Sequence, residues 1–540
     1  MDRFEAANQS EERSLRSVGP WSTVEFEFES DVDYARPYEE VDVIATFVGP
    51  HGETFRRFAF WNGGRSWRLR FAPTAAGLWA FTTAATDRTN GGLHSVAGEL
   101  LCKEGSAAPL YEHGFLRASG TGTHLEHADG TPFFWLGDTH WRFAWEKWDR
   151  ANKAGWSSQF RDTVDRRVRQ GFTVYQANLL SWNPPPFWDR LLAGGEFDVA
   201  FFREVLDPRM EYIAASGLVN AIGLAWYAAV DGHPSAMVRL ARYVVARYGS
   251  YPLVWTLGGE VAGYEPATRA QRLAAWRDVA LAIQRDDDYR HPITAHLTCE
   301  RPMPAEFQNE EWLTFTLSQL GHGDLDMSSE HWTDHLAAHP GKPLIEGESF
   351  YEGLTSVEPN GRRPVTDTMV RQVAYRAFQS GCSGYTYGAQ GSWNGAWDSE
   401  SGKSMWGDLP WHEGVDLPGA EQMGFLRRFY ESVDWTSLSP APELYSTESW
   451  INSTMYRPHV ASNATRDIIS VYFGETYRHD DGDAAVEVSD EGTYRVEWFD
   501  PRTGTFESVY DAERAENRRL GLPCPPTPGD WALLIRRNVG

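Results

Sequence analysis

The sequence predicts an α/β protein, a (β/α)8 barrel flanked by two β-sandwich domains. Three observations carry that expectation. From about Pro132 to Trp435, eight apolar strand candidates alternate with helical stretches, the order of a parallel barrel. On either side, short alternating strands are punctuated by Gly, Pro, Asn and Asp, as in antiparallel sandwiches. No Gly-rich phosphate turn follows an early strand, although a doubly wound sheet would want one. The expected divisions are 16–110, 115–438 and 439–540.

The first division reads as six strands, VEFEFES, EVDVIATFVG, RRFAFWNG, SWRLRFAP, GLWAFTTAAT and VAGELLCK. It holds no nucleophile–base grouping. Trp61, Trp67 and Trp79 suit either core packing or a sugar platform, and core packing is the safer reading of large apolar side chains in alternating strands.

The central division supplies FFWLGD, GFTVYQANLL, LVNAIGLAW, PLVWTLGG, PITAHL, WLTFTLSQL, KPLIEGE and CSGYTYG as strands. Helical periodicity falls at Ser157–Gln170, Pro234–Arg247, Ala267–Arg285, Ser328–His339 and Thr366–Ser380. Continuous apolar strands of this kind are parallel and covered on both faces. The last division returns to strands, DIISVYFG, AVEVS, TYRVEWFDPRTG, TFESVY and WALLIRR. Asp480, Asp481 and Asp483 mark an acidic turn without the spacing of an EF-hand loop, so a solvated turn is the better reading than calcium. Asn452 and Asn463 lie in N-x-[ST] patterns, a weak signal alone.

Composition narrows the function. A formal net charge of −25 over 540 residues argues against nucleic acid and against an anionic membrane surface as partners. No stretch approaches transmembrane length, and the N-terminus has no apolar signal core. A cytoplasmic location is therefore expected, although a mature form trimmed of its signal would read the same. Cys102, Cys299, Cys382 and Cys524 are scattered, without metal spacing, and read as free thiols. The oligomeric state leaves no trace in the sequence.

Chemistry is expected at the C-terminal ends of barrel strands. PLVWTLGG ends at Glu260, and KPLIEGE ends at Glu348. Both ends lie on one rim of a closed barrel, and two carboxylates across a cleft are what glycosidic cleavage requires. One protonates the leaving oxygen while the other attacks the anomeric carbon or activates water. Glu346 lies on the same side of an ideal strand as Glu348 and is an equal candidate on position alone. Other strand ends carry candidate substrate contacts: Asp138, His140, Trp141, Asn178, Trp182, Trp226, His296, Gln319, His322, Tyr387, Trp393 and Trp397. Amides, imidazoles and carboxylates suit sugar hydroxyls, and aromatic rings suit the apolar face of a sugar. The histidines lack paired spacing, so no metal site is expected, and the reading needs no cofactor.

At these residues the sequence resembles the apiosidase-like glycoside hydrolases, glycoside hydrolase family 140 and its relatives. The resemblance rests on PFFWLGDTHW, the segment Gly171–Asn178, YPLVWTLGGE, SQLGH, KPLIEGESFYEG and the run Pro418–Phe429, within about residues 115–440. The flanking parts resemble the β-sandwich that precedes such barrels and the collagen-binding-type β-sandwich that follows them; the latter label implies nothing about collagen here. The family implies a (β/α)8 barrel, glycoside hydrolysis, an acid/base at Glu260 and a nucleophile or base at Glu348, with apiose in plant pectin as the characterised substrate. Family members often carry Asp after the paired glycines where this chain has Glu260, which leaves another furanoside or terminal sugar equally open.

The expectation is thus a glycoside hydrolase acting on a plant or microbial glycan or glycoside, with retention of configuration. Retention needs carboxyls roughly 5–5.5 Å apart rather than the roughly 6.5–9.5 Å of inverting enzymes. A polysaccharide lyase would need a Tyr, His or Lys base beside a neutralised uronate, and a non-catalytic carbohydrate-binding protein would need no carboxylate pair.

Overall fold

The computed structural model describes residues 16–105, 109–180, 198–299, 303–322, 330–358, 361–447, 457–475, 477, 484–489, 492–513 and 518–538. Two compact units are present. The first gathers the chain up to Gly114 with Tyr243–Tyr251 and Asp286–Tyr289, and the second holds the remainder.

In the first unit all six expected strands form, at Val24–Glu29, Val43–Val48, Thr54–Trp61, Ser66–Phe71, Gly77–Ala85 and Ala97–Cys102. A seventh, Arg16–Val18, adds to the last of these in parallel. Alternation is plain in Gly77–Ala85, where every second residue from Trp79 to Ala85 is buried. The sheet curls until Phe26 of its edge strand meets Phe81 at 4.8 Å between ring centroids. Trp67 and Trp79 are core residues, and Trp61 packs half-buried against that core, so none of the three forms an open platform. Arg57 lies buried in this unit and donates to the carbonyl of Val245.

In the second unit seven parallel strands form one sheet: Trp135–Thr139, Val174–Asn178, Val219–Trp226, Leu253–Gly259, Thr316–Gln319, Leu344–Glu348 and Gly384–Tyr387. The Leu253–Gly259 and Thr316–Gln319 strands are its edges. Each edge bridges in parallel to the segment between them in sequence, Trp255 to Ile293 and His296 to Leu317. The sheet is therefore barrel-like, and the expected PITAHL strand is reduced to two bridging positions. Every residue of six of these strands is at least nine-tenths buried, as expected where helices cover the outer face.

The helices start where their caps are. Ser158 accepts from the Arg161 N–H to open Gln159–Arg169, and Thr366 accepts from the Met369 N–H to open Asp367–Gln379. Pro234–Tyr248, Pro266–Asp286 and Glu330–Ala338 fill the other expected positions. The run Gly419–Glu431 is also helical.

From Ser439 a six-stranded antiparallel sheet and a three-stranded sheet share one core, built on Ile469, Val471, Phe473, Val486, Trp498, Trp531 and Leu533. One buried ion pair ties this part to the barrel helix Asp367–Gln379. Arg371 donates twice to Asp530, at 2.8 and 3.0 Å, and also to Asp367 and Gln422. The Tyr472 hydroxyl adds a third donor to Asp530 at 2.9 Å. The acidic turn at Asp480, Asp481 and Asp483, and Asn452, lie outside the described residues. All four cysteines are free. Among the described residues no helix is long and apolar enough to cross a membrane.

Removing one partner of a buried ion pair strands the other charge. Arg371→Ala is expected to lower unfolding free energy by about 3–5 kcal/mol in urea titrations, whereas a double Arg371→Met, Asp530→Leu variant recovers most of that loss.

Candidate active site

Two strand ends carry the carboxylates, and both strands are irregular just before them. Opposite Ile222 and Gly223, the Leu253–Gly259 strand inserts Thr256 as an extra residue. Opposite Ser318 and Gln319, the Leu344–Glu348 strand inserts Gly347. Such bulges break the alternation of side chains and re-aim the residues beyond them. A Cβ on Gly347 would lie 2.4 Å from the Leu317 side chain, so only glycine fits there. The paired glycines serve the neighbouring strand in the same way. A Cβ on Gly258 would meet the Ala225 carbonyl at 2.5 Å, and one on Gly259 the Trp226 ring at 2.5 Å. The left-handed backbone falls instead on Leu257 and Glu260, with φ of 56° and 52°. For Glu260 this costs of order 1–3 kcal/mol, which the surrounding hydrogen bonds must hold in place.

Those bonds centre on His296. The Glu260 N–H donates to His296 Nδ1 at 3.4 Å, and the His296 carbonyl accepts from the Val261 N–H at 3.0 Å. With Nδ1 accepting, the ring proton sits on Nε2, which lies 3.1 Å from Oε2 of Glu348. One imidazole thus spans both strand ends. On the other oxygen, His322 Nε2 lies 3.0 Å from Glu348 Oε1.

The two carboxyls are pushed apart in acidity. Burial opposes ionisation of Glu348, yet the His296 and His322 imidazoles that face its two oxygens outweigh it and bring its pKa down to about 2. Glu260 moves the other way. Burial raises its pKa first, and the negative charge of Glu348 adds to the rise. Oε1 of Glu260 accepts from the Tyr264 hydroxyl and, at 3.3 Å, from Gln319 Nε2. The two carboxyls thus differ in acidity: Glu348 favours its ionised form, and Glu260 keeps its proton to higher pH than a free glutamate would.

Glu346 has a different place. It is fully buried and accepts from Ser318 Oγ at 2.6 Å, Trp332 Nε1 at 2.8 Å and the Leu320 N–H at 3.0 Å. Trp332 belongs to the outer helix Glu330–Ala338, so the bulge at Gly347 turns Glu346 towards the helix layer.

The other expected contacts divide into three groups. Trp141, Asn178, Trp226, His296, Gln319 and His322 surround the carboxylate pair. The Trp141 ring meets Trp226 and His296 edge-on, at 5.5 and 5.0 Å between centroids. Asn178 is 1% exposed, and among the described residues neither atom of its amide has a hydrogen-bond partner. Asp138, His140 and Tyr387 instead lie in buried polar clusters. His140 sits between Asp138 and Glu146, 2.7 and 2.9 Å away, and Arg167 donates to Asp138 at 2.6 Å. Tyr387 donates to Glu352 at 2.6 Å. Their polar atoms serve charge pairs behind the rim, which corrects the expectation of open strand-end contacts. Trp393 and Trp397 are half-buried, Trp393 bonded to Gln390 at 2.8 Å and Trp397 beneath Arg150. Trp182 lies outside the described residues.

Sequence reasoning missed Tyr351, Tyr264 and Trp406. Tyr351 accepts from Trp141 Nε1 at 3.0 Å and packs on the His322 ring at 4.6 Å. Trp406 lies 5.5 Å from the same ring. Tyr351 follows Glu348 by three residues and had a positional signal; Trp406 had none.

Comparison with known proteins agrees with this architecture. The family model "Apiosidase-like, catalytic domain" matches residues 119–437, and a domain of unknown function, DUF5060, matches 17–86. No curated protein sequence matches the chain. Among solved structures, a Bacteroides vulgatus ATCC 8482 protein named a glycoside hydrolase by inference aligns at TM-score 0.68 and 17% identity, covering 97% of this chain and all of its own. A glycoside hydrolase family 5 protein of the same strain aligns at 0.64 and 18%, covering 80% of this chain and 95% of its own. A third, named simply glycoside hydrolase, aligns at 0.61 and 21%, covering 79% and 98%. At these identities the likeness concerns the fold.

The buried cluster behind the rim has a pH signature. Burial disfavours charge on His140, but Asp138 and Glu146 on either side outweigh it and raise its pKa to about 9. A raised folded value means its stabilisation is complete below the unfolded value of about 6.5 and lost as pH rises through about 9. Urea unfolding from pH 6 to 9.5 is expected to show this decline, and His140→Gln is expected to flatten it.

Proposed function

Because the chain belongs to the apiosidase-like catalytic-domain family of glycoside hydrolases, we propose that it cleaves a glycosidic bond with retention of configuration, on a (β/α)8 barrel flanked in sequence by two β-sandwich domains at 16–110 and 439–540. The 293–296 segment is read as the strand that closes the barrel. The observation that carries the mechanism is the opposite displacement of the two carboxyl acidities around one shared imidazole.

In the first step the ionised Glu348 attacks the anomeric carbon. The bond from that carbon to the leaving oxygen breaks, and Glu260 gives its proton to the oxygen. The product is a glycosyl ester on Glu348 and a free alcohol. Formation of the ester removes the negative charge of Glu348, and Glu260, now a carboxylate, loses the charge that opposed its ionisation. In the second step Glu260 takes a proton from water as the water oxygen attacks the same carbon. Glu348 leaves as a carboxylate and Glu260 is again protonated. Trp141 and Trp226 offer ring faces and Asn178 an amide to the sugar. The substrate class is a plant or microbial glycan or glycoside. A furanoside such as an apioside is the first to test, although Glu260 in place of the family's common Asp carries the proton donor about 1.5 Å further along its side chain, one carbon–carbon bond.

A screen of aryl glycosides, furanosides included, tests the activity. New reducing ends support hydrolysis, an unsaturated product absorbing in the ultraviolet would mean a lyase, and binding without turnover would mean a carbohydrate-binding protein. Glu260→Ala and Glu348→Ala are each expected to lower kcat by at least about a hundredfold without loss of fold. Proton NMR of the first-formed product, before mutarotation, should show the starting anomeric configuration; an inverted anomer refutes retention. The alkaline limb of kcat/KM is expected above the ordinary carboxylate range, since Glu260 must be protonated and its pKa is raised.

A further inference from the structure

The bonds on Glu260 fix where its proton sits. Both polar groups that reach it, the Tyr264 hydroxyl and Gln319 Nε2, donate to the same oxygen, Oε1. Among the described residues Oε2 has no hydrogen-bond partner. A neutral carboxyl has one carbonyl oxygen and one hydroxyl oxygen, and two donors on one oxygen favour it as the carbonyl, which has both lone pairs to offer and no proton of its own.

We propose that Tyr264 is a positioning residue for catalysis: with Gln319 it occupies one oxygen of Glu260, confines the acidic proton to the other, and so aims that proton at the leaving group. This rests on the reading of Glu260 as the acid. The geometry around Tyr264 suits the task. Its side chain is 61% exposed, so it contributes little to the core, yet its hydroxyl is committed to Glu260. The Tyr227 ring meets it edge-on at 6.0 Å, and Arg272 lies over Tyr227 at 4.8 Å. Arg272 is itself held by Asp231 and Glu265, so the turn that carries Tyr264 is pinned from both sides. Gly263, at φ 64°, lets the chain reverse so that Tyr264 folds back over Glu260, and the Gly263 N–H closes the turn on the Glu260 carbonyl at 2.7 Å.

The same two donors act in the second step. When Glu260 is a carboxylate, they hold Oε1 and leave the open oxygen to take the proton from water. They also stabilise the carboxylate, so they restrain the rise in its pKa that burial and Glu348 produce. Among the described residues the charged or titratable groups around Glu260 are Glu348, His296, Tyr264, Tyr227 and Cys299. Tyr264→Phe alters one of them and leaves the others in place.

The test compares the wild-type chain, Tyr264→Phe and Glu260→Gln, all full length. Carbon-13 NMR of glutamate-labelled protein follows the Glu260 carboxyl, assigned by its absence in Glu260→Gln, and needs no substrate. Tyr264→Phe is expected to move that titration, and the alkaline limb of kcat/KM with it, to higher pH. With 4-nitrophenyl and methyl glycosides of the sugar found in the screen, kcat/KM of Tyr264→Phe should fall roughly tenfold on the methyl glycoside, the size of one net hydrogen bond. The matching 2,4-dinitrophenyl glycoside, which needs no acid, should be little affected. A Glu260 titration unchanged in Tyr264→Phe overturns the proposal and leaves Glu260 as the acid. A Glu260→Gln variant that loses no more on the methyl than on the dinitrophenyl glycoside overturns the role of Glu260, and the proposal with it.

Discussion

The arrangement depends on one imidazole. His296 accepts a backbone N–H from Glu260 on one nitrogen and presents the other to Glu348. The first contact favours a proton on the other nitrogen, which faces Glu348 at 3.1 Å. The consequence spreads in both directions. Glu348 is held ionised despite burial, its charge bears on Glu260, and the strained backbone at Glu260 is fixed by the same ring. His296 stands on the segment that bridges the two edges of the sheet, so the site's electrostatics and the sheet's continuity meet at one residue.

Local backbone irregularity does the rest of the positioning. Both carboxylates follow an inserted residue in their strands, Thr256 before Glu260 and Gly347 before Glu348. A regular strand has a side-chain period of two, which would hand Glu346 and Glu348 the same environment. The glycines nearby are explained by close packing against Ala225, Trp226 and Leu317 rather than by room for the acids.

Much of this was legible in the sequence, and the limits have physical causes. Strand positions were readable because burial on both faces writes long apolar runs, and helices because their caps and periodicity are local. PITAHL reads as a strand, yet it pairs at only two positions, and pairing depends on neighbours distant in sequence. That Glu260 follows one strand and Glu348 ends another was readable from the same runs. Asp138 and His140 were placed at the same rim for the same reason, but whether a polar side chain opens into a cleft or is consumed by Arg167 and Glu146 depends on helices elsewhere in the chain. The contact of Tyr264 with Glu260 was invisible, since nothing in its spacing says that a turn at Gly263 folds it back onto that carboxyl.

Glu346 and Glu348 stand among different partners. They are two residues apart, both nine-tenths or more buried, and both surrounded by donors. Glu346 accepts from a hydroxyl, an indole and the backbone N–H groups of Leu320 and Glu348, with His331 of the outer helix 3.5 Å away. Its bonds join the strand to that outer helix. Glu348 is met by two imidazoles on groups that also touch the other acid or the aromatic wall of the cleft. The two carboxylates therefore differ less in burial than in reach: one neighbour of Glu348, His296, also meets the Glu260 backbone, and the other, His322, packs on Tyr351.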